Sequence, residues 1–289
     1  MNSRRPGIAE IAIILVALVV LFAWIGSSCG DDDGLGKTVI DIADVAPQGT
    51  ANLTYLKIQD ISGDAELQEV MTQWEMKDGE YLKHFGFDTA MVEHISHLNV
   101  NQNILIMIRS RQDMSDLRNE LEELGYEKGD FGKNHDEVWE SPSGTEWISI
   151  TDKGVIIGNK ETVMSCIYVR DGASSFSDNE IVEEVLDKLT EGMLVHIETY
   201  DGVETYAGLE IVGASLDKKD SQSFEASFVY TFGTPEQASA AMDPIYYAID
   251  EIYNKPEIKQ DGKLIVLEAE IEIELIDIWN ITGMMMEED

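Results

Sequence analysis

The stretch Ser-Phe-Glu-Ala-Ser-Phe-Val-Tyr-Thr-Phe, residues 223–232, decides the fold class. Apolar side chains occupy every second position, and they belong to Phe224, Ala226, Phe228, Tyr230 and Phe232. A period of two is the pattern of a β-strand that buries one face. Residues 209–216 precede this stretch across the turn Asp217-Lys218-Lys219-Asp220, so the two segments predict an antiparallel hairpin.

Amphipathic helices alternate with further strands along the chain. Apolar residues at helical spacing predict helices at 67–74, 113–124, from 160 onward, at 181–189 and at 235–253, the last bent at Pro244. Strands are predicted at 53–58, 91–98, 103–108, 138–140, 146–150, 155–157, 193–199 and 264–278, with 103–108 central because it is apolar throughout. The sequence therefore predicts an α+β protein in which antiparallel sheets carry helices packed on one face.

The order of these elements occurs twice. Residues 92–98 and 103–110 match residues 209–216 and 223–232 in order and spacing, and a helix follows each pair. A strand also precedes each pair. We therefore predict two related α+β repeats, which occupy residues 50–172 and 173–280.

The first 29 residues have the pattern of an export segment. Arg4 and Arg5 precede an apolar run at 11–25, and Gly26-Ser27-Ser28-Cys29 follows it. A basic start, a short apolar run and a small-residue exit are typical of a signal peptide. The residues before Cys29 resemble the cleavage box of bacterial lipoproteins, in which the cysteine carries the lipid, although a larger aliphatic residue is usual where Gly26 stands.

Several outcomes are open for this segment: lipidation of Cys29, an uncleaved anchor in residues 1–29, ordinary cleavage, or a pilin-type leader around Glu10. We expect an exported chain that is held to the cell membrane through its N-terminus, with the ectodomain outside the cytoplasm. Residues 30–49, rich in Gly and Asp, predict a flexible acidic linker, and residues 281–289 predict a disordered, acidic, Met-rich tail.

Charge restricts the partners. The chain has 56 Asp and Glu against 20 Lys and Arg, a net charge of −36. Such a surface repels nucleic acid and anionic headgroups, so neither is expected as a partner of the ectodomain. Cys166 lies among apolar residues, which predicts a buried thiol rather than a reactive one. No cofactor is expected, because the sequence contains no P-loop, dinucleotide, nucleophile-elbow or zinc-protease motif.

Histidines and glutamates are the candidate metal ligands. His84, His94 and His97 lie close in sequence, but positions 94 and 97 of a strand point to opposite faces, so a shared ion is not expected. In the strand at 264–278, four glutamates project from one face at a spacing of about 7 Å. They are Glu268, Glu270, Glu272 and Glu274. The face is either the solvated side of a half-buried strand or a weak collecting surface for Ca²⁺ or Mg²⁺.

Three segments carry a resemblance. Val45-Ala46-Pro47 precedes Tyr55-Leu56, residues 152–159 precede a helix, and Ser174-Ser175-Phe176-Ser177 follows. Over about residues 45–200 they resemble a family of uncharacterised prokaryotic envelope proteins defined by a domain of unknown function. The resemblance implies an exported or lipid-anchored protein with a duplicated α+β body, and it implies no active residues.

These features together favour a non-catalytic binding or interaction module at the cell envelope. Its partner would be an unidentified envelope or extracellular protein or ligand. Two alternatives stay open, a hydrolase that uses acidic residues and a structural component of the envelope, because 56 acids place carboxylates near one another in any fold.

Overall fold

The computed structural model describes residues 38–63, 79–129, 137–151, 154–190, 192–200, 206–220, 223–250 and 254–272. The described residues form two compact units, one that ends at Glu183 and one that begins at Glu184. The helix predicted at 67–74, the export segment with Cys29, Glu274 and the tail at 281–289 lie outside the described residues. Of the helices that are described, none has the length and hydropathy needed to cross a membrane.

The first unit combines helices with an antiparallel sheet. Its elements are α1 (Val39–Val45), β1 (Thr50–Leu56), α2 (Ile58–Ser62), α3 (Glu80–His84), β2 (Val92–Val100), β3 (Asn103–Ser110), α4 (Met114–Glu123), β4 (Glu127–Gly129), β5 (Glu137–Glu140), β6 (Trp147–Ile150), β7 (Gly154–Gly158) and α5 (Lys160–Arg170). The strand order is β1-β2-β3-β7-β6-β5-β4. Because β3 pairs with β2 on one side and with β7 on the other, the predicted central position of residues 103–108 is confirmed.

The second unit has the same class of architecture. α6 (Glu180–Lys188) crosses from the first unit into the second, and the elements after it are β8 (Leu194–Thr199), β9 (Leu209–Lys218), β10 (Ser223–Phe232), α7 (Pro235–Asp250), β11 (Asn254–Asp261) and β12 (Leu264–Glu272). The strand order is β8-β9-β10-β12-β11, and each neighbouring pair in this order is antiparallel. The α+β class and the 209–232 hairpin are therefore confirmed.

Helices contact both faces of the second sheet, so the prediction of packing on one face is wrong for this unit. The aromatic face of β10 is buried. Gln260 of β11 faces the same side of the sheet, and its Nε2 donates to the Pro235 carbonyl of α7 at 2.9 Å, so α7 lies on that side. On the opposite face Gly213 lies against α6, since a Cβ there would stand 2.5 Å from a Val185 methyl. The second helix is needed because Val229, paired with Gly213, is also apolar and fully buried.

The predicted linker at 30–49 contains a helix. Thr38 caps α1 by accepting the Asp41 backbone N–H at 3.2 Å, and the Asp41 carboxylate accepts the Thr38 N–H at 2.9 Å. Val39, Ile42 and Ala43 are buried, so this turn belongs to the core despite the acidic residues before it.

The boundary between the units lies at 183/184, not at the predicted 172/173. The segment after α5 returns to α1, where the Phe176 backbone N–H donates to the Ala46 carbonyl at 2.8 Å and the Ser177 hydroxyl donates to Asp44 at 2.5 Å. These bonds keep the segment in the first unit.

Candidate functional site: an acidic groove

An open groove of about 350 Å³ lies on the sheet of the second unit. Carboxylates dominate its lining, and they belong to Asp217, Glu225, Glu257, Glu268 and Glu270. Hydroxyl groups complete the polar lining, and they belong to Thr190, Ser215 and Ser227. A concave surface with this composition presents hydrogen-bond acceptors and negative charge to a ligand.

Strand register arranges the groove floor in two transverse rows. Asp217 pairs with Glu225, and Glu225 pairs with Glu270, which gives an acidic row across β9, β10 and β12. A second row runs through four directly paired residues, Ser215, Ser227, Glu268 and Glu257. Directly paired residues share a face of the sheet, and rows two residues apart are separated by about 7 Å.

The groove begins where α6 ends. Leu189 follows the helix directly and packs against Gly213 of β9, since a Cβ atom added to Gly213 would stand 2.8 Å from Leu189 Cδ1. The next residue, Thr190, lines the groove. The C-terminal end of a helix carries partial negative charge from its unpaired carbonyl groups. The end of α6 therefore adds to the negative potential of the carboxylates.

Lys219, in the turn between β9 and β10, places its own ammonium group at the acidic row. Its Nζ lies 3.3 Å from a Glu225 carboxylate oxygen and also contacts the Glu270 carboxylate. The hydrogen bond to Glu270, followed by that to Glu225, raises the pKa of Lys219. The ammonium thus offsets the repulsion between two glutamates that face each other directly.

The second row has spare acceptors. Glu268 is exposed, and within the described part of the chain no cation or donor pairs with it, whereas Glu257 has the Lys259 ammonium at 3.3 Å. Ser227 is 4% exposed, and its Oγ has no hydrogen-bond partner among the described residues. An unpaired buried hydroxyl is costly, so this site has unused capacity for a polar ligand.

The structure brings together two of the four glutamates predicted to share a face, Glu268 and Glu270. Glu272 lies in β12, but its side chain is not described, and Glu274 lies outside the described residues. The ranges that the structure describes contain no group of three or more Asp, Glu, His or Cys side chains arranged to hold a metal ion. Glu225 was not predicted as a site residue, although the alternation that buries Phe224 places Glu225 on the outer face.

The histidines lie apart from the groove, in the first unit. His94 is buried, with its ring 5.1 Å from that of Tyr55, whereas His97 is half-buried and His84 is exposed. Tyr55 pairs with Ser96 and shares its face with His94, whereas His97 pairs with Thr54 on the other face. Positions 94 and 97 therefore point to opposite faces, as predicted. Burial, followed by the charge of Arg109, lowers the pKa of His94 to about 3. His94 is therefore a neutral core residue at physiological pH.

Two further polar features of the first unit have a structural explanation. Tyr81 donates to one carboxylate oxygen of Glu146 at 2.6 Å, and Tyr126 donates to the other. Burial and these bonds raise the pKa of both phenols. The Cys166 thiol is completely buried in α5, which confirms its predicted burial, and desolvation raises its pKa.

The comparisons with known proteins bear on the fold alone. No protein-family model matches the chain, and no curated protein matches it. The structure is similar to crystal form III of TP0453, with a TM-score of 0.52 and 11% identity over 82% of this chain and 97% of that chain. Crystal form I of TP0453 superposes with a TM-score of 0.49 and 9% identity over 82% of this chain and 96% of that chain. At this identity the first match supports the α+β architecture and no activity.

Proposed function

We propose that this protein is a membrane-tethered, extracytoplasmic, non-catalytic binding module, and that the acidic groove of the second unit is its binding surface. One observation carries the proposal. The exposed Glu268 carboxylate, which has no ion pair among the described residues, lies beside the buried Ser227 hydroxyl, which has no hydrogen-bond partner among them, in a concave surface. A cationic donor in the groove would form an ion pair with the carboxylate and give the buried hydroxyl a hydrogen-bond partner.

The groove chemistry favours binding over nucleophilic catalysis. Ser215 and Ser227 are its alcohols, and the lining contains no histidine or cysteine. A serine nucleophile needs an adjacent base that is itself held in place, and imidazole is the usual one. His196 of β8, the histidine in the sequence of the second unit, lies on the opposite face of the sheet, because it pairs with Ala214 rather than with Ser215.

We also propose that the two units are copies of one structural plan. In the first unit three antiparallel strands, β1, β2 and β3, lead into α4, and a later strand, β7, pairs with β3. In the second unit β8, β9 and β10 lead into α7, and a later strand, β12, pairs with β10. The equivalent strand positions support an internal duplication, in which one copy kept the groove.

The proposed location depends on the N-terminal pattern. A basic pair, an apolar run and Cys29 occur in that order, and the resemblance to exported envelope proteins points the same way. Intact-mass measurement of the protein extracted from membranes tests it, because a lipid on Cys29 at a new N-terminus adds a fixed mass. Recovery of the unprocessed full-length chain from the soluble cytoplasmic fraction would contradict export.

Cross-linking in the native envelope tests the binding function. A photoreactive residue at Thr190, on the groove edge, should capture the ligand or partner, and Glu268→Gln should reduce that capture. Glu236→Gln is the matched control, since it removes one exposed carboxylate from α7, outside the groove lining. Equal capture by all three proteins would mean that the groove is not the binding surface.

A further inference from the structure

We infer that the acidic groove recognises primary aliphatic ammonium groups carried on an extended molecule, either a polyamine or the lysine side chains of a polypeptide. This inference rests on the proposed binding function and names its ligand class. Four observations support it: an ammonium already held in the groove, a second set of acceptors one row away, the spacing of the carboxylates, and the charge of the helix end.

The groove already binds one ammonium. Lys219 reaches across from the β9–β10 turn and places its Nζ between Glu225 and Glu270. Two carboxylates that face each other on neighbouring strands therefore form a receptor for a compact, strongly hydrated cation with three donors. The chain itself shows which functional group fits between such a pair.

The second row offers similar chemistry at Glu268, although the neighbouring Glu257 of the same row already contacts the Lys259 ammonium at 3.3 Å. Glu268 occupies the position next to Ser227, as Glu270 does next to Glu225. Within the described residues Glu268 has no ion pair, and the Ser227 hydroxyl is buried on the groove face without a partner. A primary ammonium could donate to the carboxylate and the hydroxyl together, which would satisfy both.

The spacing favours an extended cation over a metal ion. Carboxylates in the two rows are separated by about 7 Å along the strands, and those within a row stand on different strands. The described residues accordingly contain no convergent set of three metal-ligating side chains. A chain with ammonium groups several ångströms apart can follow these acceptors, whereas one Ca²⁺ ion, which takes six to eight oxygens at about 2.4 Å, cannot.

The end of α6 reinforces the selection for positive charge. Thr190 lines the groove just beyond the helix, where the last carbonyl groups are unpaired by the helix itself. Leu189 packs on Gly213, which lies two residues before Ser215 on the same face of β9, so the helix end lies near the Ser215 end of the second row. The partial negative charge of the helix end therefore acts on that row.

Calorimetric titration of the full chain, solubilised in detergent at fixed ionic strength, tests the inference. The probes are spermidine, tetralysine, acetyl-lysine tetrapeptide and CaCl₂. We expect spermidine or tetralysine to bind with one site per chain, and Glu268→Gln to weaken that site about tenfold. Ser227→Ala should weaken it about threefold without loss of folding, because the hydroxyl has no hydrogen-bond partner to lose among the residues that the structure describes.

Controls separate this site from the general acidity of a chain with a net charge of −36. Glu236→Gln removes the same charge outside the groove, so binding should change by less than about twofold. Binding of spermidine alone would identify a free amine as the ligand, and binding of tetralysine alone would identify a polypeptide. Equal binding of the acetylated peptide, equal weakening by Glu236→Gln, or full displacement by Ca²⁺ at matched ionic strength would overturn the inference. If amine binding fails while cross-linking still depends on Glu268, the ligand class is wrong and the binding function stands.

Discussion

Lys219 on the turn of the second hairpin binds Glu270 on β12, fifty-one residues later in the chain. The contact exists because β12 pairs with β10 as well as with the preceding strand β11, and the pairing with β10 brings Glu270 opposite Glu225. One ammonium therefore serves two carboxylates on adjacent strands. The relationship links the stability of the β10–β12 pairing to the charge of the groove.

Lys219→Met should lower the melting temperature of the protein, and the loss should be larger at low ionic strength. Removal of the ammonium leaves Glu225 and Glu270 facing each other, and salt screens their repulsion. Calorimetry at about 20 mM and 500 mM salt measures the effect. Lys188→Met is the control, because Lys188 forms an ion pair with Asp261 at 3.0 Å on the surface of the same unit. An equal salt dependence in both variants would contradict the shared role of Lys219.

Thr38→Ala should destabilise the first unit by about 1 kcal/mol, the usual cost of losing a helix N-cap. The hydroxyl accepts the Asp41 N–H and donates to the Asp41 carboxylate at 2.8 Å, so α1 loses both interactions. Hydrogen exchange of amides 39–45 together with urea unfolding measures the change. Thr38→Ser keeps the hydroxyl and should retain the protection of these amides. Unchanged exchange in Thr38→Ala would show that packing alone holds α1.

The sequence could predict the β9–β10 hairpin of the groove but not β11, the strand that carries Glu257. Alternation in 223–232 predicts β10 and its pairing with β9, because a slip by one residue would expose the aromatic face. The turn predicted at 217–220 is misplaced, since Asp217 and Lys218 belong to β9 and pair with Glu225 and Phe224. β11 gives no such signal. Its sequence Asn-Lys-Pro-Glu-Ile-Lys-Gln-Asp is polar, and it pairs with β12 alone among the described strands, as an edge strand does. Glu257, on that strand, was therefore missed.

Composition misled the sequence analysis at the start of the first unit. Asp31-Asp32-Asp33 and the flanking glycines indicate a solvated linker, but the predicted linker, residues 30–49, also included Val39 and Ile42. Those two side chains are buried, and their burial is decided by partners distant in sequence, such as the segment around Phe176. Long-range packing of this kind has no local sequence pattern.

Gly213→Ala should destabilise the second unit by about 1–3 kcal/mol, the usual cost of overpacking a tightly packed site. A methyl group there would stand 2.5 Å from Val185 Cγ1 and 2.8 Å from Leu189 Cδ1, so α6 would have to move away from β9. Urea unfolding measures the loss. The control is Gly63→Ala, where the nearest atom to the new methyl group within the described ranges, the Asp60 carbonyl oxygen, lies 4.0 Å away. Equal stability of both variants would contradict the close packing of α6 on β9.

His94 should make the first unit sensitive to acid. Burial, followed by Arg109, lowers its pKa to about 3, while the nearby Asp41 opposes the shift and Lys57 adds to it. An unfolded histidine has a pKa of about 6.5, so between these values the unfolded chain binds a proton that the folded chain excludes. The stabilisation is complete above about pH 6.5 and decreases as the pH falls, by at most about 1.4 kcal/mol for each pH unit.

His94→Phe should therefore flatten the pH dependence of unfolding free energy between about pH 6 and pH 4, by about 1 kcal/mol for each unit relative to the wild type. Phenylalanine keeps a ring beside Tyr55 but cannot take up a proton. Urea unfolding at several pH values measures both slopes, and the difference between them removes the contribution of the many carboxyl groups common to both proteins. Tyr55→Phe is the control: it changes the neighbouring ring and leaves His94 in place, so its slope should match the wild type. Parallel slopes for wild type and His94→Phe would show that another group governs the acid sensitivity of this unit.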